Sequence, residues 1–432
     1  MLFVTGCTKK SDELFEDPAD VRLAKVLTAY QDALMQAPGW KLFVYPQGLR
    51  SEDIEVGGLT YYVRFPDSNR TVMVSDFLLN MAFVPKESSF RLRAVQRPSL
   101  VFDTYSYIHV AADPDQDVSF SPTGANGYGW GTDYDFSFTE AAPGDTIVLK
   151  GNFNNSDAYL IRATEEEMTD AFNGEMGNII LATSDYISNN NFLYFSATDN
   201  SKVGVSLNLF LYRINFNYIV GGDLVTIAAP FSHTTYGLHL KDPVTVGGYT
   251  FQDLYWDATL EVYYILNGST RINIIDAGGP IFPFNQVIGR SLTTITVPVT
   301  ALPGQSTEFA NVYQTVKTNL INSDFGLELG EIAFIFDAQT GMMAMNVTVF
   351  QDGNEFLAQY IFSYAINSAN LTYLTLESAN NNGAAIVNEM SPLLNYLAND
   401  LFKIDYFSAP GGTLGQFTSQ DNPGFFFTGT LQ

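Results

Sequence analysis

The chain has 432 residues, and its 21 Lys+Arg against 46 Asp+Glu give a formal net charge of −25. With 46% hydrophobic and 16% charged residues it can bury ample cores, which excludes a disordered polyanion. So acidic a surface repels phosphate backbones and anionic lipid, which argues against nucleic-acid partners and electrostatic membrane docking, and no apolar run reaches the roughly 18 residues of a membrane helix.

At the N-terminus stands Cys7, the only cysteine, so neither an intramolecular disulfide nor a Cys-based zinc site can form. It follows Val4-Thr5-Gly6, an aliphatic residue and then two small ones. That resembles a bacterial lipobox, in which a signal peptidase cuts before a cysteine that receives lipid. The apolar stretch before it is shorter than the about 7–15 residues of a signal h-region, which points to a start upstream or a trimmed chain. Residues 1–18 therefore read as signal remnant and lipid tether, residues 8–16 being polar and charged. The alternative is a cytosolic protein with a stray cysteine in its tail.

Asp17-Pro18-Ala19-Asp20 is a helix start, with Asp17 able to cap and Pro18 suited to the first position. Leu23, Val26, Leu27, Tyr30 and Leu34 then recur at helical spacing up to Pro38-Gly39. From Trp40 the pattern changes to period two. Tyr134, Phe136 and Phe138 alternate with Asp133, Asp135 and Ser137, turn at Pro143-Gly144 and return through residues 146–151. Val203, Val205, Leu207 and Leu209 are apolar on one parity, and Phe210, Tyr212, Ile214, Phe216 and Tyr218 on the other. That phase switch predicts a bulge or a strand changing faces near residue 210. Leu254, Trp256, Leu260 and Val262 read as one further half-buried strand.

Gly/Pro-rich stretches at residues 277–283 and 301–304 punctuate the chain. A second amphipathic helix runs through Phe309, Val312, Tyr313, Val316 and Leu320. A hairpin then pairs Met343, Met345, Val347 and Val349, across Asp352-Gly353, with Phe356, Tyr360, Phe362 and Tyr364. Ser391-Pro392 starts a short helix through Leu397, and two strands close the chain. The expected organisation is a helix plus antiparallel β domain over residues 19–265 and another over 266–432. The fold class is mainly β, built of antiparallel meander sheets or lipocalin-like half-barrels with a few amphipathic helices.

Several segments taken together resemble a known family. They are the lipobox-like start, the helix over 21–37 running into Pro38-Gly39-Trp40, the run Leu100-Val101-Phe102-Asp103-Thr104-Tyr105, and Tyr134-Asp135-Phe136-Ser137-Phe138 with residues 146–151. Over about residues 13–260 the chain is similar to an uncharacterised family of Bacteroidota surface lipoproteins, known only as a domain of unknown function. The resemblance implies a secreted, lipid-anchored protein, often encoded near starch-utilisation-type nutrient uptake systems. It supplies no catalytic residues.

Chemistry is sparsely signalled. His109, His233 and His239 are widely spaced; His233 and His239 flank Tyr236-Gly237 and could meet across a hairpin, yet a zinc site would need a third ligand. Asp113, Asp115 and Asp117 have the opening spacing of a calcium loop, but Val118 and Gly124 stand where Gly and Glu are needed, so no metal is expected. Asp103, Asp257 and Glu261 could serve paired-carboxylate hydrolysis and fit a solvated strand face equally well. The glycine-rich run over 124–131 lacks a strand–loop–helix context for a nucleotide. Its Tyr128 and Trp130 are instead the candidate stacking faces for a ligand, with Asp133 accepting hydroxyl hydrogen bonds. The competing reading has Trp130 folding back to plug a barrel end.

The sequence points to a non-catalytic protein at the outer membrane or cell surface, lipid-anchored at Cys7 and without cofactor. It would bind a glycan or peptide nutrient or serve as accessory to partner proteins of an uptake complex. The alternatives are a secreted glycoside or peptide hydrolase and a structural or adhesion protein.

Overall fold

The computed structural model describes residues 17–47, 49, 54–94, 97–127, 129–221, 223–290 and 292–432; Cys7 and Tyr128 lie outside them. The chain is mainly β, and its neighbouring strands run antiparallel. It divides into two compact units: one runs to Tyr218 and resumes over Thr226–Asp276, and the other takes Ile219–Val225 and Ala277–Gln432. The strands Val262–Asn267 and Thr270–Asn273 stay with the first unit, so the boundary falls after Asp276 and not after Ile265.

The first unit opens with the helix Ala19–Gln36, whose Asp17 bonds Lys25 Nζ instead of capping the helix. Eight strands follow, from Gly39–Tyr45 to Asp157–Ala163, each paired with the next. The last also pairs with the first, Gly39 opposite Ala163 through Tyr45 opposite Asp157, so the curling expected of this meander goes to full closure. Leu42, Leu100, Phe102, Phe136 and Phe138 fill the interior. Tyr30 and Leu34 of the helix join that core, Tyr30 stacking on Phe138 at 3.7 Å between ring centroids.

Part of the barrel's outer wall is covered. Tyr62 and Val74 pack with Ala82, Met168 and Met176 from the helices Leu79–Phe83, Glu165–Phe172 and Glu175–Asn189. The last two helices interrupt what the sequence pattern reads as continuous period two. Thr164 and Glu167 form a reciprocal capping box at their start, each side chain bonded to the other's backbone N–H. A nine-stranded sheet follows, and its two outermost strands, Thr270–Asn273 and Ile275–Asp276, are separated in the chain only by Ile274. Its edges therefore curl round to meet. The helix Glu175–Asn189 seals it, with Tyr186 donating to the Ile274 carbonyl and Thr183 bonding the Tyr263 hydroxyl.

The phase switch near residue 210 is a hairpin, not a bulge. Asn208 pairs with Arg213 across a loop of residues 209–212, and Asp257 pairs with Val262 across 258–261, so the strand expected through Leu254 and Val262 is likewise two. Both loops have one design, repeated at Asp337 and Met342. An Asn or Asp carboxamide or carboxylate accepts loop N–H groups, and the fourth loop residue, Tyr212, Glu261 or Gly341, takes φ of 53°, 52° or 66°. Each four-residue loop reverses the alternation, Leu207 sharing a face with Ile214 and Trp256 with Tyr263, and the first two carry no Gly or Pro signal.

In the second unit the strand Thr294–Val297 precedes the helix Thr307–Asn322, and seven further strands close a second barrel by pairing Phe426–Leu431 with Thr294–Val297. The hairpin at Asp352-Gly353 is present, with Gln351 opposite Asn354. Phe309 of the helix stacks on Phe427, which stacks on Phe417, each at 4.7 Å. The helix expected from Ser391 is Val387–Asn399, which begins one turn earlier and contains Pro392.

A buried carboxylate ties the first barrel to the nine-stranded sheet. Asp76 Oδ1 accepts from Thr60 N at 2.7 Å and Oδ2 from His233 N at 2.9 Å, and burial pushes its carboxyl above the ordinary range. Asp76→Ala orphans two buried N–H groups at about 1–3 kcal/mol each, so urea unfolding is expected to show a loss of at least about 2 kcal/mol; an unchanged midpoint would contradict this role.

Candidate functional site

The strand register assembles a polar row on the first barrel. Arg93 stands opposite Ser99, Ser99 opposite Ser137, Ser137 opposite Lys150, and Lys150 opposite Asp157. Residues paired across antiparallel strands share a face, and the adjacent Leu100 and Phe136 belong to the interior, so this row lies on the outer wall. There a groove of about 540 Å³ is open, lined also by Arg97, Asp135, Asn152 and Phe153.

Its floor is a connected hydrogen-bond network. Arg93 donates to Asp135 Oδ2 at 2.5 Å, and Asn152 Nδ2 donates to Asp135 Oδ1 at 2.6 Å. Ser137 Oγ donates to Asn152 Oδ1 at 2.6 Å, and Ser99 Oγ lies 3.4 Å from Ser137 Oγ. Lys150 bonds Asp157 Oδ1 at 2.7 Å, while Lys241 takes the other carboxylate oxygen at 2.8 Å. Among the described residues Arg97 has no ion-pair partner, and it is exposed.

Asn152 and Phe153 reach the groove on the hairpin loop that follows Thr146–Gly151. Asp133, 1% exposed, holds that loop: Oδ1 accepts from Phe153 N at 2.7 Å and Asn154 N at 2.9 Å, and Oδ2 from Ser156 N at 3.0 Å. Residue 151 must be glycine because a Cβ there would collide with this carboxylate. Phe153 is thereby left 72% exposed at the groove's rim. Behind it runs a column of rings tilted 24–34° to one another, Phe153 to Tyr134 at 6.4 Å, Tyr134 to His109 at 4.5 Å and His109 to Tyr105 at 5.5 Å. Tyr134 and Tyr105 are 37% and 51% exposed. His109 Nδ1 accepts from Ser106 N, so its proton sits on Nε2, which donates to the Phe102 carbonyl; burial lowers its pKa, keeping the ring neutral.

The residues singled out from sequence have other places. Trp130 is 2% exposed, its indole N–H donates to the Ser119 carbonyl at 2.8 Å, and Phe77 and Tyr212 pack edge-on against it. Its flanking glycine serves close packing: a Cβ at Gly129 would sit 2.8 Å from the Ala111 carbonyl oxygen. Trp130 is therefore a core residue and presents no face to a ligand. Asp133, with three backbone N–H groups on its carboxylate, positions the loop and does not meet a ligand hydroxyl. Nothing places Tyr128 or Cys7, which are outside the described residues.

His233 and His239 face opposite sides of their hairpin, since His233 pairs with Leu238 and His239 with Ser232. His239 bonds Asp253 at 2.7 Å. Asp113 and Asp115 each accept an N–H two residues on, and Asp115 caps the short helix Gln116–Ser119. Asp257 closes a hairpin loop and pairs with Arg271. Among the described residues no three His, Cys, Asp or Glu side chains gather to hold a metal, and no helix is long and apolar enough to cross a membrane. The groove itself escaped sequence reading, although three arginines fall within residues 91–97 of a chain with only 21 Lys+Arg.

Residues 11–258 match a family model described as a domain of unknown function (DUF4302). No curated protein matches the chain.

Because Trp130 is a core residue, Trp130→Ala is expected to cost about 3–5 kcal/mol in chemical unfolding; a variant as stable as the parent would return Trp130 to the list of ligand contacts.

Proposed function

The chain belongs to the DUF4302 family, and we propose that it is a non-catalytic, lipid-anchored exterior protein of a Bacteroidota-type envelope that captures a nutrient, glycan or peptide, in the groove of its first barrel. The observation that carries this reading is the rim of the groove: a 72% exposed phenylalanine held in place by a buried carboxylate, beside a network of amide, hydroxyl and guanidinium groups. An exposed ring whose backbone is clamped offers a fixed flat face on which a ligand can stack. Polar groups already bonded to one another, with Asp135, Ser99 and Ser137 buried in the floor and Asn152 exposed above them, present a ligand with a surface that need not reorganise first.

The hydrolase reading draws less support. Paired-carboxylate hydrolysis needs two carboxyl groups about 5–9.5 Å apart, one of them free to carry a proton. Among the described residues the groove's lining has a single carboxylate, Asp135, bonded to Arg93 and Asn152. Val4-Thr5-Gly6-Cys7 and the polar residues behind it support an anchor at Cys7, and an anchored binding protein suits an accessory of an uptake complex.

Two measurements test this. With a complete signal sequence, the protein is expected in the detergent phase and Cys7→Ser in the soluble fraction; wild-type protein that stays soluble with an unmodified Cys7 contradicts the anchor. Screening oligosaccharides and peptides by calorimetry is expected to find a saturable ligand whose affinity drops about tenfold in Phe153→Ala at unchanged melting temperature. A ligand indifferent to that change would place binding elsewhere.

A further inference from the structure

We infer that the groove selects an acidic saccharide, a chain bearing carboxylates such as uronic acids; this rests on the groove being the ligand site. Charge comes first. Three cations, Arg93, Arg97 and Lys150, line the groove with one carboxylate, Asp135. Adding the second-layer pair Asp157 and Lys241 gives four positive groups against two negative ones. This local excess stands on a chain of net charge −25, whose long-range field repels anions. The chain's negative field opposes long-range attraction of an anion, so the cationic groove acts through short-range contact with one.

The arginines differ in what they offer. Arg93 is committed to Asp135, whereas Arg97 is exposed and without an ion-pair partner among the described residues. Its planar fork matches a carboxylate through two parallel N–H bonds, a geometry that lysine cannot reproduce. Both arginines flank Asn152, an exposed amide able to bond sugar hydroxyls and ring oxygens, above Ser99 and Ser137, which are buried in the groove's floor.

Saccharide is favoured over peptide by the backbone around the groove. Extended peptides gain much of their affinity by adding a strand to a free sheet edge. Here the strands Pro98–Phe102, Asp135–Phe138 and Thr146–Gly151 are each paired on both sides within a closed barrel, so there is no edge to extend. What remains is side-chain chemistry and the exposed Phe153 ring, on whose face the apolar C–H patch of a pyranose can lie.

The test uses the full chain and three probes: oligogalacturonate, the carboxyl-reduced oligosaccharide of the same length, and an acidic peptide of equal charge. Calorimetry is expected to show oligogalacturonate binding at least about tenfold more tightly than the reduced form, with the preference shrinking as salt rises. Arg97→Gln is expected to erase that preference with no change in melting temperature, and Arg97→Lys to restore only part of it. If both oligosaccharides bind equally and Arg97→Gln alters neither, charge selection is overturned while the binding reading stands. If the acidic peptide binds and oligogalacturonate does not, the saccharide assignment falls. If no probe binds and Phe153→Ala is equally silent against the wider ligand screen, the groove reading falls with it.

Discussion

One buried carboxylate sets the geometry on which the groove depends. Asp133 accepts three backbone N–H groups from residues 153, 154 and 156, closing the five-residue hairpin loop 152–156 onto the strand beside it. Hydrogen bonds to a charged group contribute about 1.5–3 kcal/mol each, so three of them amount to about 5–9 kcal/mol. Fixing the backbone of five loop residues costs about 5–10 kcal/mol, so this one side chain offsets most of it. Asn154 Nδ2, donating to the Thr132 carbonyl at 2.6 Å, sews the same loop down a second time. The exposed Phe153 and the network-forming Asn152 are consequences of that clamp.

Barrel closure supplies the other half of the site. An eight-stranded antiparallel barrel has an interior filled by alternate residues, so the polar alternates must face outward. Over much of the wall they meet a cover: Tyr62 and Val74 lie under helices, and Phe43 stacks on His239 of the nine-stranded sheet at 4.4 Å. The row from Arg93 to Lys150 has no such cover, and there the outward residues are charged, hydroxylic or amidic. Three times the chain builds a curled antiparallel sheet with a helix against its core, yet this open polar wall belongs to the first barrel.

How far the sequence speaks follows from the range of each interaction. Local chemistry is legible: Pro38-Gly39 ends a helix, Asp352-Gly353 turns a hairpin, and helical spacing marks Phe309 to Leu320. The loops at 209–212 and 258–261 are not, because Tyr212 and Glu261 take a left-handed φ that glycine usually signals. Thr164 and Glu167 carry a readable capping box that the surrounding alternation obscured. The groove is the least legible part. Arg93, Ser99, Ser137 and Lys150 become neighbours only through the register of four strands, and their spacing in sequence carries no trace of it. The polarity of Asp133 and the glycine neighbours of Trp130 suggest ligand contacts. Their roles are set by burial, which depends on residues far along the chain.

Hydrogen exchange of the full chain, with and without saturating oligogalacturonate, tests the central claim most directly. If the groove is the ligand site, slowed exchange concentrates in peptides covering residues 97–100, 135–138 and 150–156, and the second barrel is unchanged. Protection that falls on other surfaces while residues 150–156 exchange as in the free protein would contradict the account.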